Sequence, residues 1–234
     1  MTADPRLIVA LDFDSADAAR RLVEALGDRV SFYKVGLTLL ARDGGAVARD
    51  LKAAGKQVFQ DWKLHDIGAQ VEGAARAIAA DGGADLLTVH AEPQVMRAAV
   101  AGRGDSGTLI VGVTVMTSLT DADLQEMGYG ARAAELVERR VSQAIECGLD
   151  GVVASPLEAA RVREIAAAAA RPKFLIVTPG VRPTGASADD QQRTATPSGA
   201  LRSGATHLVV GRPITAATEP QSAALAILEE MASA

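Results

Sequence analysis

The chain has a single cysteine, Cys147, in 234 residues, so no intramolecular disulfide can form. That suits a reducing cytoplasm and leaves stability to the buried core. Positive charge is also scarce: 24 Lys and Arg face 29 Asp and Glu, for a net charge of −5. This balance argues against general nucleic-acid binding, which needs a basic face. No uninterrupted apolar run is long enough to cross a bilayer. The start, Met1-Thr2-Ala3-Asp4-Pro5-Arg6, has no long apolar region, so no signal peptide is expected. No linker-like stretch divides the chain. The glycine-rich first turn of a dinucleotide-binding sheet is missing as well, since Asp12-Phe13-Asp14-Ser15 stands in its place.

What is present is ordinary for a globular protein: 48% hydrophobic and 23% charged residues. A chain of this length can bury most of its apolar surface without staples. Two textures alternate along it. Short apolar runs rich in β-formers occur at Leu7–Leu11, Val30–Val35, Gln57–Trp62, Leu86–His90, Leu109–Val115, Gly151–Ala154, Phe174–Val177 and His207–Val210. Each is followed by an Ala-rich segment with helical spacing. Ala18, Ala19, Leu22, Val23 and Leu26 lie on one helical stripe closed by Gly27. Ala133, Val137, Val141 and Ala144 form another, ending at Gly148, with Glu135 and Arg139 spaced as a helical ion pair. Ser155–Glu158 reads as a capping box with proline at the first helical position, and Thr218 with Gln221 resembles a second.

Continuous rather than alternating apolar runs indicate parallel strands covered on both faces. Eight strand–helix units in one domain, residues 1–234, fit a (β/α)8 TIM barrel, with a doubly wound open sheet as the alternative. The longest non-periodic stretch, Pro179–Pro197, is a candidate functional loop.

Polar residues gather at the C-terminal ends of these runs, which form the active face of a barrel. They are Asp12, Lys34, Asp61 with Lys63, His90, Thr117, Arg182, Gly211 and Arg212, and the opposite ends show no comparable set. Each has a bland reading: Asp12 as a helix cap, Lys34 as a snorkelling lysine, Asp66 as an N-cap, His90 as a hydrogen-bonded core histidine. Ser155 and Cys147 are discounted as nucleophiles, and Trp62 should pack against helices. The densest cluster is Asp61-Trp62-Lys63-Leu64-His65-Asp66. Strand alternation puts Asp61 and Lys63 side by side. Close charges are costly to bury for stability alone, so the cluster reads as a device for moving a proton or opposing a substrate's charge. Gly211-Arg212-Pro213 follows the eighth run, and Arg182 and Gln191 lie in the seventh loop. Barrels commonly bind phosphate there, and arginine forks onto phosphate oxygens.

These elements together resemble the orotidine 5′-phosphate decarboxylase family, essentially end to end. The match rests on Leu11-Asp12, Lys34-Val35-Gly36, Asp61 to Ile67, Val113 to Ser118, Val177 to Pro183, Asp190-Gln191 and Val210 to Pro213. The family commonly continues Pro-Asn-Thr after Asp-Ile; this chain has Gly68-Ala69-Gln70. The resemblance implies decarboxylation of orotidine 5′-phosphate to UMP without metal or other cofactor, in a cytoplasmic homodimer with shared active sites. It implies that Lys34, Asp61, Lys63 and Asp66 form a charged network, Asp66 entering the neighbouring subunit's site. Asp12 and Lys34 would hold the ribose, and Thr117 and Ser118 the pyrimidine. Arg182, Gln191, Gly211 and Arg212 would bind phosphate, and the 179–197 loop would close over it. Lys63 would protonate C6. Two rivals are a metal-dependent sugar-phosphate decarboxylase or aldolase using Asp12, Asp61 and Asp66, and a non-catalytic nucleotide-binding protein.

Overall fold

The computed structural model describes residues 3–80, 83–183 and 195–234. Eight parallel strands follow one another in chain order: β1 Leu7–Ala10, β2 Phe32–Gly36, β3 Gln57–Leu64, β4 Leu86–His90, β5 Leu109–Val113, β6 Gly151–Val153, β7 Leu175–Thr178 and β8 His207–Val210. Strand β1 pairs with both β2 and β8, which closes the sheet into a barrel. The open-sheet alternative is thereby excluded. The helices are α1 Ala16–Leu26, α2 Leu37–Leu40, α3 Gly44–Ala53, α4 Gly68–Ala80, α5 Pro93–Arg103, α6 Asp121–Glu126, α7 Ala133–Glu146, α8 Ala159–Ala168, α9 Pro197–Arg202, α10 Arg212–Thr215 and α11 Pro220–Ala232.

Strand alternation sorts the apolar runs into two environments. Ile8, Ala10, Phe32, Phe59, Leu86, Val111, Val177 and Val209 fill the barrel interior. Their neighbours Leu7, Val9, Tyr33, Val35 and Val58 point outward and pack beneath the helices. Every strand thus needs apolar residues on both faces, and that is why the runs are continuous. Each fully buried aliphatic side chain contributes roughly 1.5–3 kcal/mol relative to exposure. Trp62 packs outward between the two outer clusters, as expected. Ser15 caps α1 by accepting from the Ala18 N–H, and Gly27 ends the helix at φ 55°.

Several local expectations are corrected. Glu135 pairs with Arg132 at 3.0 Å rather than with Arg139, because both lie at the helix start where the carboxylate also accepts the Arg132 N–H. Only half of the Ser155–Glu158 box forms: Glu158 accepts the Ser155 N–H at 2.9 Å, but the Ser155 hydroxyl is buried without a hydrogen-bond partner and α8 begins later. Thr218 caps nothing; Glu219 precedes α11 without a side-chain cap, and Gln221 donates to the Ala25 carbonyl instead.

The N-terminal end of the barrel is also less bare than expected. Asp85, before β4, accepts the Val58 N–H at 2.7 Å and pairs with Lys52 at 2.8 Å. Asp150, before β6, accepts the Ile110 N–H at 2.8 Å and pairs with Arg103 at 2.7 Å. Thr206, before β8, accepts the Ile176 N–H at 2.9 Å. The same device recurs three times: a side chain preceding an even strand ties off the amide of the second residue of the odd strand before it.

Candidate active site

A cavity of about 510 Å³ opens at the C-terminal end of the barrel. Its floor is the top of the apolar interior, with Ala10, Phe59, Val113, Val153, Val177 and Val209. Asp12, Lys34, Asp61 and Lys63 line one part of its wall; Met116, Thr117 and Ser118 another; Pro179, Gly180, Arg182, Gly211 and Arg212 a third. Strand order explains the grouping. β1, β2 and β3 are neighbours and supply the charged array, while β7 and β8 are neighbours and supply the two arginines.

The array is a chain of alternating charge. The Lys34 ammonium donates to Asp12 Oδ1 at 2.8 Å and lies 3.3 Å from Asp61 Oδ2. Lys63 Nζ lies 2.8 Å from Asp61 Oδ1. Lys34 and Asp61 are buried, at 8% and 7% exposure, whereas the Lys63 side chain is 29% exposed. Burial pushes the Asp61 carboxyl up, but Lys34, Lys63 and the Thr88 hydroxyl outweigh it and hold the group below the usual carboxylate range. Burial disfavours the Lys34 ammonium, yet Asp61 and Asp12 overcome that and raise it above an ordinary lysine. Both ends of the pair therefore stay ionised at neutral pH.

Asp61 and Lys63 meet as expected, though not through regular strand geometry. The register of β3 against β4 jumps from Gln60↔Leu87 to Leu64↔Val89, so Asp61, Trp62 and Lys63 together oppose Thr88. Lys63 sits at φ 49°, in the left-handed region that non-glycine residues rarely adopt. This bulge, more than alternation, aims the lysine at the cavity.

Asp66 does not line its own chain's cavity. It is exposed beyond the end of β3, and its carboxylate accepts the Ile67 N–H at 2.6 Å. The structure brings it neither to the array nor to a cap of α4. Ile67 beside it is 65% exposed. His90 is not enclosed in the core as expected: it is half-buried at the end of β4, its ring 4.9 Å from that of His65. Burial lowers its pKa. Arg182 is buried in the loop four residues beyond β7 and donates to the Val181 carbonyl. Its own N–H donates to the Ala195 carbonyl at 3.0 Å, which fastens the two ends of the long seventh loop together. Gln191 lies outside the described residues. Among those described, no group of three or more His, Cys, Asp or Glu side chains is placed to hold a metal ion. The space between Asp12 and Asp61 is spanned by the Lys34 ammonium.

Residues 5–227 match the model of the orotidine 5′-phosphate decarboxylase / HUMPS family. The chain belongs to that family. A protein from Caulobacter vibrioides named orotidine 5′-phosphate decarboxylase is 66% identical over 232 residues, covering 99% of both chains. One of the same name from Methylobacterium radiotolerans is 53% identical over 232 residues, 98% of each. The crystal structure of orotidine 5′-phosphate decarboxylase from Lactobacillus acidophilus superposes with a TM-score of 0.82 at 36% identity, over 97% of this chain and 99% of that one.

Three features of this decarboxylase / HUMPS barrel escaped the sequence reading. The apolar cavity floor is shared with the core, and its residues look like any other strand residues. Gly36 makes room for the ion pair: a Cβ there would lie 2.5 Å from Asp12 Oδ1 and 2.8 Å from Lys34 Nζ. The signal was available in Lys34-Val35-Gly36, a glycine ending a strand two residues after a buried lysine. The third is Thr88, which gave no signal, because threonine is an ordinary strand former.

Proposed function

We propose that this protein decarboxylates orotidine 5′-monophosphate to uridine 5′-monophosphate, the final step of de novo UMP synthesis, with Lys63 as proton donor to C6. The observation that carries the reading is the Lys34–Asp61–Lys63 array: a buried carboxylate clamped between two ammonium groups, with the second facing the cavity.

In the reaction the C6–carboxylate bond breaks, CO2 departs, and the bonding pair remains on C6 in the ring plane. The ring π system cannot delocalise it. Stabilisation must come from a preorganised positive charge, and Lys63 supplies one above the apolar floor of the cavity. Lys63 then transfers its proton to C6 and regains one from solvent. Asp61 keeps the ammonium aimed and faces the departing carboxylate, where like charges repel. Asp12 and Lys34 hold the ribose hydroxyls. Thr117 and Ser118 meet the pyrimidine. Arg182, Gly211 and Arg212, with Gln191, bind the phosphate. A Cβ at Gly211 would meet only Ala10 Cβ, at an ordinary 3.7 Å, so packing does not demand glycine there; a bare backbone at this point would let a phosphate approach closely. Phosphate binding far from C6 can drive closure of the 179–197 loop and organise the array.

The protein acts as a cytoplasmic homodimer in which Asp66 completes the site of the other subunit. The exposed Asp66-Ile67 pair, remote from its own cavity, supports this arrangement. No metal or organic cofactor is needed, because Lys34 already provides the cation between Asp12 and Asp61. The test is to mix purified protein with orotidine 5′-monophosphate and follow loss of the orotate absorbance, with and without EDTA. Equal turnover in both is expected. No turnover overturns the reading, and turnover lost to EDTA and restored by Mg2+ favours the metal-dependent rival.

A further inference from the structure

We infer that Thr88 is a positioning residue for the decarboxylation, holding Lys63 in the backbone and side-chain geometry from which it reaches the substrate. The inference rests on the proposed role of Lys63. Thr88 lies on β4, is fully buried, and does not line the cavity. It is the lone β4 residue opposite the three-residue bulge of β3. At the bulge the ladder is interrupted, and the Thr88 side chain takes up the loss: its Oγ1 accepts the Lys63 backbone N–H at 3.0 Å. The same hydroxyl donates to Asp61 Oδ1 at 2.9 Å.

The directions of these bonds are fixed by chemistry. An amide N–H can only donate, and an ionised carboxylate can only accept, so the hydroxyl has one arrangement that satisfies both. Asp61 Oδ1 also meets Lys63 Nζ at 2.8 Å. The result is a closed ring: Lys63 N–H to Thr88 hydroxyl, hydroxyl to Asp61, Asp61 to the Lys63 ammonium. It ties the lysine at both ends, through its main chain and through its charge. Lys63 and Ala170 are the two non-glycine residues at positive φ among those described. Ala170 lies two residues beyond α8, where left-handed backbone is common, whereas Lys63 lies inside a strand. A strained conformation persists only where its surroundings over-determine it. Thr88 supplies that determination.

The test compares Thr88→Val, Thr88→Ala and Thr88→Ser with wild type. Valine keeps the shape and removes the hydroxyl. The expected result for Val and Ala is kcat lower by about 10- to 100-fold, with UMP Kd within about threefold of wild type. Serine, which restores the hydroxyl, should keep kcat within about threefold. Should Thr88→Val fail to fold, Thr88→Ala carries the comparison. Three outcomes overturn the inference: kcat unchanged in Val and Ala, serine as impaired as valine, or UMP affinity lost in parallel with kcat. Crystal structures of the variants give a reading that needs no activity. Lys63 should leave its left-handed conformation, or its contact with Asp61, in Val and Ala but not in Ser; an unmoved Lys63 overturns the inference. If wild type itself does not turn over orotidine 5′-monophosphate, the decarboxylase reading fails, and these structures still decide the role of Thr88.

Discussion

The two ends of this barrel carry similar residues to different effect. At the N-terminal end, Asp85 and Asp150 each take one strand amide and one cation, Lys52 or Arg103. Each carboxylate satisfies a backbone group that would otherwise be left unpaired. At the C-terminal end, Asp61 takes Lys34, Lys63 and the Thr88 hydroxyl, none of them a backbone amide. Its bonds serve other side chains, and the two ammonium groups among them line a cavity. Buried charges that pair only with one another return little stability for their desolvation. The difference teaches how to tell a structural carboxylate from one placed for chemistry. The criterion is the type of partner: a backbone amide at one end, only side chains at the other.

The comparison breaks first at Lys63. On the proposed mechanism, replacing it by alanine removes both the positive charge facing C6 and the proton that quenches the carbanion. The expected loss in kcat is about 10⁴-fold or more, with UMP affinity largely kept. Retention of a tenth of the activity would assign Lys63 less than about 1.4 kcal/mol and place the chemistry elsewhere. Subunit mixing sharpens the same end of the molecule. On the proposed shared-site dimer, Lys63→Ala and Asp66→Asn proteins, each expected to be nearly inactive, are unfolded and refolded together. If each site takes Lys63 from one chain and Asp66 from the other, a hybrid has one doubly damaged site and one intact site. Half the dimers are then hybrids, so roughly a quarter of all sites should recover. Activity that stays at the level of the parents would mean that Asp66 serves its own chain or none.

The barrel itself was legible because burial on both faces forces apolar runs that read as strands, and its β-αrhythm leaves few topologies. Lys34, Asp61, Lys63 and Arg182 stood out because charged side chains inside or just beyond an apolar run must be paired or face a cavity, and all four line the one at this end. What stayed hidden depends on neighbours distant in sequence. Thr88 matters only because β3 bulges opposite it, and Gly36 only because Asp12 and Lys34 meet above it. The capping residues failed for a related reason. Ser155 and Thr218 have the right spacing for caps, and Glu135 with Arg139 for an ion pair, but the helix starts and the available partners were set by packing against the barrel. Asp85 and Asp150 were passed over because a carboxylate before a strand looks like a loop residue until the neighbouring amide is seen.

The smallest expected effect tests the N-terminal end. Asp150→Ala leaves the amide of fully buried Ile110 without its acceptor and Arg103 without its carboxylate. An unsatisfied buried donor costs roughly 1–3 kcal/mol. In a domain of this size that lowers Tm by about 2–4 °C per kcal/mol. Asp150→Asn keeps an oxygen for the amide and gives up the charge, so its loss should be the smaller of the two. Neither variant should change kcat by more than about twofold, since the change leaves the reacting charges where they are. Thermal denaturation and steady-state kinetics on the same preparations check both halves. A fall in kcat without a fall in Tm would show that the two ends are coupled, and that a carboxylate bonded to backbone can still act on the chemistry at the far end of its strand.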